Sequence, residues 1–115
     1  MLKKTMLFLT FAAAAGCAAA PPPVDRNASS EAALRGAREV GAEGVPRAAL
    51  FLKLSEDEIA KSKVLLSEGD AVQSDLMLQR ARADAELALA LTREAAAEAE
   101  TKALTAQLEG LRVRK

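Results

Sequence analysis

Leu52, Ser55, Ile59, Ser62 and Leu66 follow one another at alternating spacings of three and four, with mostly polar or charged residues between them. That period is the mark of a helix with one face turned inward. Further along, Ser74, Leu78, Ala81, Ala85, Ala88, Thr92, Ala95 and Ala99 keep the same spacing with small side chains almost throughout. Breaks are few beyond Ser29: Gly41, Gly44 and Pro46, then Gly69-Asp70, then Gly110. The pattern predicts an all-α chain with helices at about Ser30 to Val40, Pro46 to Glu68 and Ala71 to Arg112, together a helical domain over residues 30–115.

The punctuation between these helices agrees with them. Pro46 suits a first helical position, where its missing N–H costs nothing, and Gly69 suits the left-handed residue that closes a helix. Asp70 followed by Gln73 resembles a capping box, and so short a link demands an antiparallel hairpin. A competing signal lies inside the second helix, where Ser55-Glu56-Asp57-Glu58 is itself a capping box with Leu54 and Ile59 placed as a hydrophobic staple. The unbroken spacing from Leu52 to Leu66 favours one continuous helix over a kink there.

Pairing the two stripes sets large residues against small ones. Leu52, Ile59 and Leu66 are expected to fill grooves between the alanines of the third helix, with axes at the close end of the usual ~8–10 Å. A second stripe runs along Ala83, Leu87, Ala90, Glu94, Ala97, Thr101, Leu104, Leu108 and Leu111. At ~1.5 Å per residue the third helix outruns the second, so Leu104, Leu108 and Leu111 form a candidate interaction face. That face must meet helix one, another copy, another protein or water. Glu31/Arg35, Asp57/Lys61 and Glu98/Lys102 stand one turn apart and read as support for solvated faces.

Before the helices the character of the chain changes. Met1-Leu2-Lys3-Lys4 is basic, Met6 to Ala15 carries no charge, and Pro21 to Pro23 stop any helix from extending to the ~20 apolar residues a membrane span requires. Residues 1–16 therefore read as a signal peptide. Ala14-Ala15-Gly16-Cys17 resembles the bacterial lipobox, although Ala14 stands where Leu is most common. The resemblance implies cleavage before Cys17, diacylation (palmitate and similar chains) of its sulfur, and acylation of the new N-terminus. Ordinary cleavage before Gly16 is the rival. One acyl chain, at ~0.8 kcal/mol per buried CH₂, binds a membrane reversibly, whereas three would hold the chain permanently. Residues 17–29 then read as a lipidated N-terminus and Pro-rich linker, in which Ala18 to Ala28 would lift the domain ~35 Å from the bilayer. Ala18 lacks the aspartate that retains lipoproteins in the inner membrane, so an outer-membrane site facing the periplasm is expected.

Composition narrows the chemistry. The 115 residues carry 16 basic and 16 acidic side chains; without residues 1–16, which include Lys3 and Lys4, the net charge is near −2. Such a balance offers no strong field for nucleic acid. Histidine, tryptophan and tyrosine are absent, Cys17 is the sole cysteine, and Phe51 is the sole aromatic beyond the leader. Imidazole bases and metal ligands, phenolic acids and aromatic platforms are thereby excluded. The carboxylate candidates Glu56-Asp57-Glu58, Asp84/Glu86 and Glu98/Glu100 diverge on their helices, so no enzyme, cofactor, metal or small-molecule substrate is expected.

Gly44-Val45-Pro46-Arg47-Ala48-Ala49-Leu50-Phe51-Leu52-Lys53-Leu54, then Glu68-Gly69-Asp70, then Arg80-Ala81-Arg82-Ala83-Asp84-Ala85-Glu86-Leu87-Ala88, closely resemble a family of small bacterial lipoproteins catalogued as a domain of unknown function, number 4398. The likeness covers roughly Ser30 to Thr105 and departs after the turn, where Ala71-Val72-Gln73 replace the usual polar residues. It implies envelope location, an all-helical module and, for some relatives, association with an OmpA-like peptidoglycan-binding domain. The expected function is that of a lipid-anchored structural or interaction module, self-associating or bound to an envelope protein. A second reading starts from Arg112-Val113-Arg114-Lys115: Braun-type lipoproteins also end in Arg-Lys, and the resemblance would make Lys115 a point of covalent attachment to peptidoglycan. Basic residues at a helix C-terminus also simply oppose the macrodipole.

Overall fold

A computed structural model describes residues 23–114. Three helices run in sequence: α1 over Pro23–Glu39, α2 over Pro46–Ser67 and α3 over Ala71–Val113, with a 3₁₀ turn at Ala42–Gly44 between the first two. The helix content, the hairpin and the long last helix match the sequence reading. α2 is continuous through Ser55, which is fully buried on the seam rather than capping a new helix start.

The hairpin turn forms as its residues dictate. Gly69 takes a φ of 86°, in the left-handed region that costs a side-chain-bearing residue energy, and the amide of Asp70 returns to the carbonyl of Leu65 at 2.9 Å. The Asp70 carboxylate then accepts the amide of Gln73 at 3.0 Å, satisfying one of the free donors at the start of α3. Gly41, at φ 85°, turns the chain out of α1, and Pro46 opens α2 at its first position.

Register follows from the turn. Ser74 Oγ donates to the carbonyl of Ser62 at 2.8 Å, so positions on α2 and α3 whose numbers total about 136 lie level. Leu52 and Ile59 thereby meet Ala81, Ala85 and Ala88 in a common core, with Ala48 at its far end. Two seam positions fall outside the expectation. Leu66 is 52 % exposed: its level on α3 is the capping residue Asp70, before the first turn of that helix, so α3 does not cover it. Ala95 is only half-buried and Ala99 is exposed, because α2 ends at Pro46, level with about residue 90.

The largest difference lies at the start of α1. The helix begins at Pro23, seven residues before Ser30, so residues 23–29 belong to the folded domain and not to an extended linker. A proline at the first position is compatible with helix, and tertiary contacts stabilise the turns that follow. Arg26 pairs with Asp75 of α3, and buried Ser30 Oγ lies 2.8 Å from the carbonyl oxygens of both Arg26 and Leu78, donating to one of them. Glu31 pairs with Lys63 at 3.1 Å and Arg38 with Glu56. α1 thus runs parallel to α3 and antiparallel to α2, forming an up-down-up bundle whose core also includes Leu34 and Ala37.

These contacts revise the charge reading. Glu31 reaches across to Lys63 instead of pairing with Arg35, and Asp57 pairs with Lys53 at 3.2 Å instead of Lys61. Cys17, the proposed cleavage site and Lys115 lie outside the described residues.

Candidate interaction surface

α3 is 43 residues long and α2 is 22, which at ~1.5 Å per residue makes them about 64 and 33 Å. The bundle covers α3 as far as Leu91 and Thr92, and a shallow cleft lined by Val45, Arg47, Leu91, Glu94 and Glu98 marks the last approach of the α2 N-terminus. Residues 96–114 are all exposed. Leu104, Leu108 and Leu111 share one face of this overhang and are 53, 62 and 62 % exposed. α1 does not reach them: it packs beside the first half of α3, between its contacts at Asp75 and Leu78 and the 3₁₀ turn. Of the occupants open to that face, helix one is removed.

The overhang is helical through Val113 although none of the described residues packs on it, and local propensity accounts for that. Ala96, Ala97, Ala99, Ala103 and Ala106 are strong helix formers. Thr101 and Thr105, weaker helix formers, satisfy their hydroxyls on the carbonyls of Ala97 and Thr101 at 2.9 Å without adding to helix stability, and Arg112 lies in the last turn, where a cation opposes the macrodipole. Acidic Glu98 and Glu100 stand near its base, basic Arg112 and Arg114 near its tip.

Leu50 and Leu54 of α2 and Leu87 of α3 are also exposed; all three lie off the seam periods, on the outward sides of their helices.

The carboxylates behave differently from the sequence expectation. Neighbours within each cluster do diverge, yet α2 and α3 bring Glu58 of the first cluster beside Asp84 of the second. Burial, then the negative charge of Asp84, push the Glu58 carboxyl above its ordinary value, against a smaller opposing effect of Arg80. On the opposite side, the hydrogen bond from Lys63 lowers the Glu31 carboxyl. Among the described residues no group of three or more potential ligands could hold a metal ion, and no helix is long and apolar enough to cross a membrane.

Two ends of the molecule are distinct. Arg26 beside Asp75 places the start of α1 next to the Gly69-Asp70 turn, while α3 carries the uncovered leucines away from it. Comparison with protein-family models, with curated proteins and with solved structures finds no match for the chain.

Proposed function

We propose that the protein is a non-catalytic, lipid-anchored interaction module of the bacterial envelope, held at an outer membrane through acylated Cys17 and presenting the distal face of α3 to a protein surface. The observation that carries the reading is the polarity of the molecule. Any segment before Pro23 joins the bundle at its turn end, and Leu104, Leu108 and Leu111 project from the opposite end. An anchor at the turn end and an apolar docking face at the other end of a ~64 Å helix set the two attachments at opposite ends of the molecule. The leader, the small residues before Cys17 and the likeness to lipoproteins supply the anchor half of the proposal. With α1 starting at Pro23, the spacer after Cys17 is at most residues 18–22, about 17 Å at full extension, half the span its prolines suggested.

Metabolic labelling with an alkyne fatty acid tests the anchor: the chain takes up label and Cys17→Ala does not, and equal labelling of the two removes the proposal. In cross-linked envelopes, replacing Leu104, Leu108 and Leu111 by Ser should abolish complexes that the parent chain forms.

A further inference from the structure

We infer that the distal part of α3 docks on a second copy of itself in antiparallel orientation. This rests on the interaction-module reading and commits it to one occupant. Thr101, Leu104, Leu108 and Leu111 follow at spacings of three, four and three, the period of a coiled-coil seam, and all are exposed. Two rows flank that seam. One is Glu98, Thr105 and Arg112; the other is Glu100, Gln107 and Arg114, and each repeats every seven residues from acidic to basic.

The direction of docking follows from those rows. In an antiparallel pair like rows face each other, and a register that packs Leu104 on Leu108 of the second copy, and Thr101 on Leu111, centres Thr105 and Gln107 on their own counterparts. Glu98 then meets Arg112 and Glu100 meets Arg114, each pair occurring twice by symmetry. A parallel, in-register pair sets Glu100 against Thr105 and Gln107 against Arg112, and gathers both copies' Arg112 and Arg114 at one end. Charge complementarity therefore selects the antiparallel arrangement. The two overhangs overlap along the exposed stretch of α3, about 27 Å, and leave the bundles at the two ends of an assembly about 100 Å long. The overlap begins at Glu98, at the rim of the cleft where Val45 and Arg47 make the bundle's last approach, so each bundle flanks the overlap without covering the leucines.

The test uses the chain from residue 17 onward with Cys17→Ser, so that introduced cysteines are the only thiols. Chains carrying Glu98→Cys and Arg112→Cys, mixed and treated with a short bismaleimide, should form a covalent dimer that neither gives alone. Glu98→Arg with Glu100→Arg, and separately Arg112→Glu with Arg114→Glu, should each lose the dimer in analytical ultracentrifugation, and mixing the two charge-reversed chains should restore it. All of these positions are exposed, so circular dichroism should report an unchanged fold. Cross-linking of Glu98→Cys chains with each other would establish a parallel pair and overturn the inference, as would a chain that stays monomeric at about 1 mM. Loss of envelope complexes in the Leu104/Leu108/Leu111→Ser chain without any self cross-link would leave the interaction-module reading standing and assign the face to a different protein.

Discussion

Four serines are among the most deeply buried side chains of this bundle, and they do different things. Ser74 ties α3 to α2 through a 2.8 Å bond to the carbonyl of Ser62, Ser30 sits 2.8 Å from the carbonyls of Arg26 and Leu78 and shares its one proton between them, and Ser62 folds back on the carbonyl of Ile59. Ser55 is as buried but has no hydrogen-bonding partner for its hydroxyl among the described residues. A buried hydroxyl without a partner opposes folding, whereas removing a bonded one loses its net contribution. Ser74→Ala should therefore cost about 1 kcal/mol, and Ser55→Ala should be neutral or stabilising by a similar amount, both read by urea unfolding. A loss at Ser55 equal to that at Ser74 would contradict the packing described. Ile59 is the opposite case, an apolar side chain buried in the common core with Leu34, Leu52, Leu78 and the alanines of α3. Ile59→Asp buries a charge with no partner and should cost several kcal/mol, enough to abolish the cooperative melt.

Glu58 makes the stability of the hairpin depend on pH. Its folded carboxyl lies above the unfolded value through burial and the neighbouring Asp84, so its proton is held more tightly in the folded state. The favourable contribution is complete below the unfolded value and disappears as pH rises through the folded one. Glu31 works in reverse: its lowered value, set mainly by the Lys63 hydrogen bond, contributes above the unfolded carboxylate range and is lost as pH falls through the folded value. Glu58→Gln should raise the melting temperature at neutral pH by more than it does near the ordinary carboxylate range, where the parent's carboxyl is protonated. A substitution effect that does not shrink on acidification would contradict the Glu58–Asp84 contact.

At the scale of elements, α3 is two structures in one helix. Its first half is buried by α1 and α2, and its second half, against which no described residue packs, relies on the helix propensity of its alanines and on terminal charge. The overhang contributes no residue to the core. Ending the chain after Ala97 should therefore shift the thermal midpoint by no more than a few degrees while removing helical signal in proportion to the residues lost. A collapse of the bundle on truncation would mean that the overhang folds back on it. The seven added residues of α1 carry the contrary expectation. Arg26 and Ser30 both bond to α3, so removing residues 23–29 should destabilise a domain that a linker's loss would leave unchanged.

At the scale of the whole molecule, the two functional readings separate by which end is essential. Docking through the leucine face predicts that removing Lys115 leaves envelope complexes intact, since burying each exposed leucine contributes ~1.5–3 kcal/mol and an exposed terminal charge far less. Covalent tethering predicts the reverse, with protein retained on boiled, detergent-washed sacculi until muramidase releases it. That retention, lost with Lys115, would replace the docking proposal with attachment.

The helices and their order were legible in the sequence because their determinants are local: a 3-4 period, a left-handed glycine, a proline at a first turn and a capping aspartate act within a few residues. The same locality made Leu104, Leu108 and Leu111 readable as an uncovered face, since helix length alone shows that α3 outruns its partner. What the tertiary structure decided depends on residues distant in the chain. Residues 23–29 look like a spacer until Asp75 and Leu78 give Arg26 and Ser30 something to bind. Leu66 obeys the seam period and is nevertheless exposed, because burial needs a facing element and the turn supplies none. Glu58 and Asp84 meet only because the hairpin register brings their helices level. Periodicity determines which face of a helix can be buried; the length and register of its neighbours decide how much of that face is.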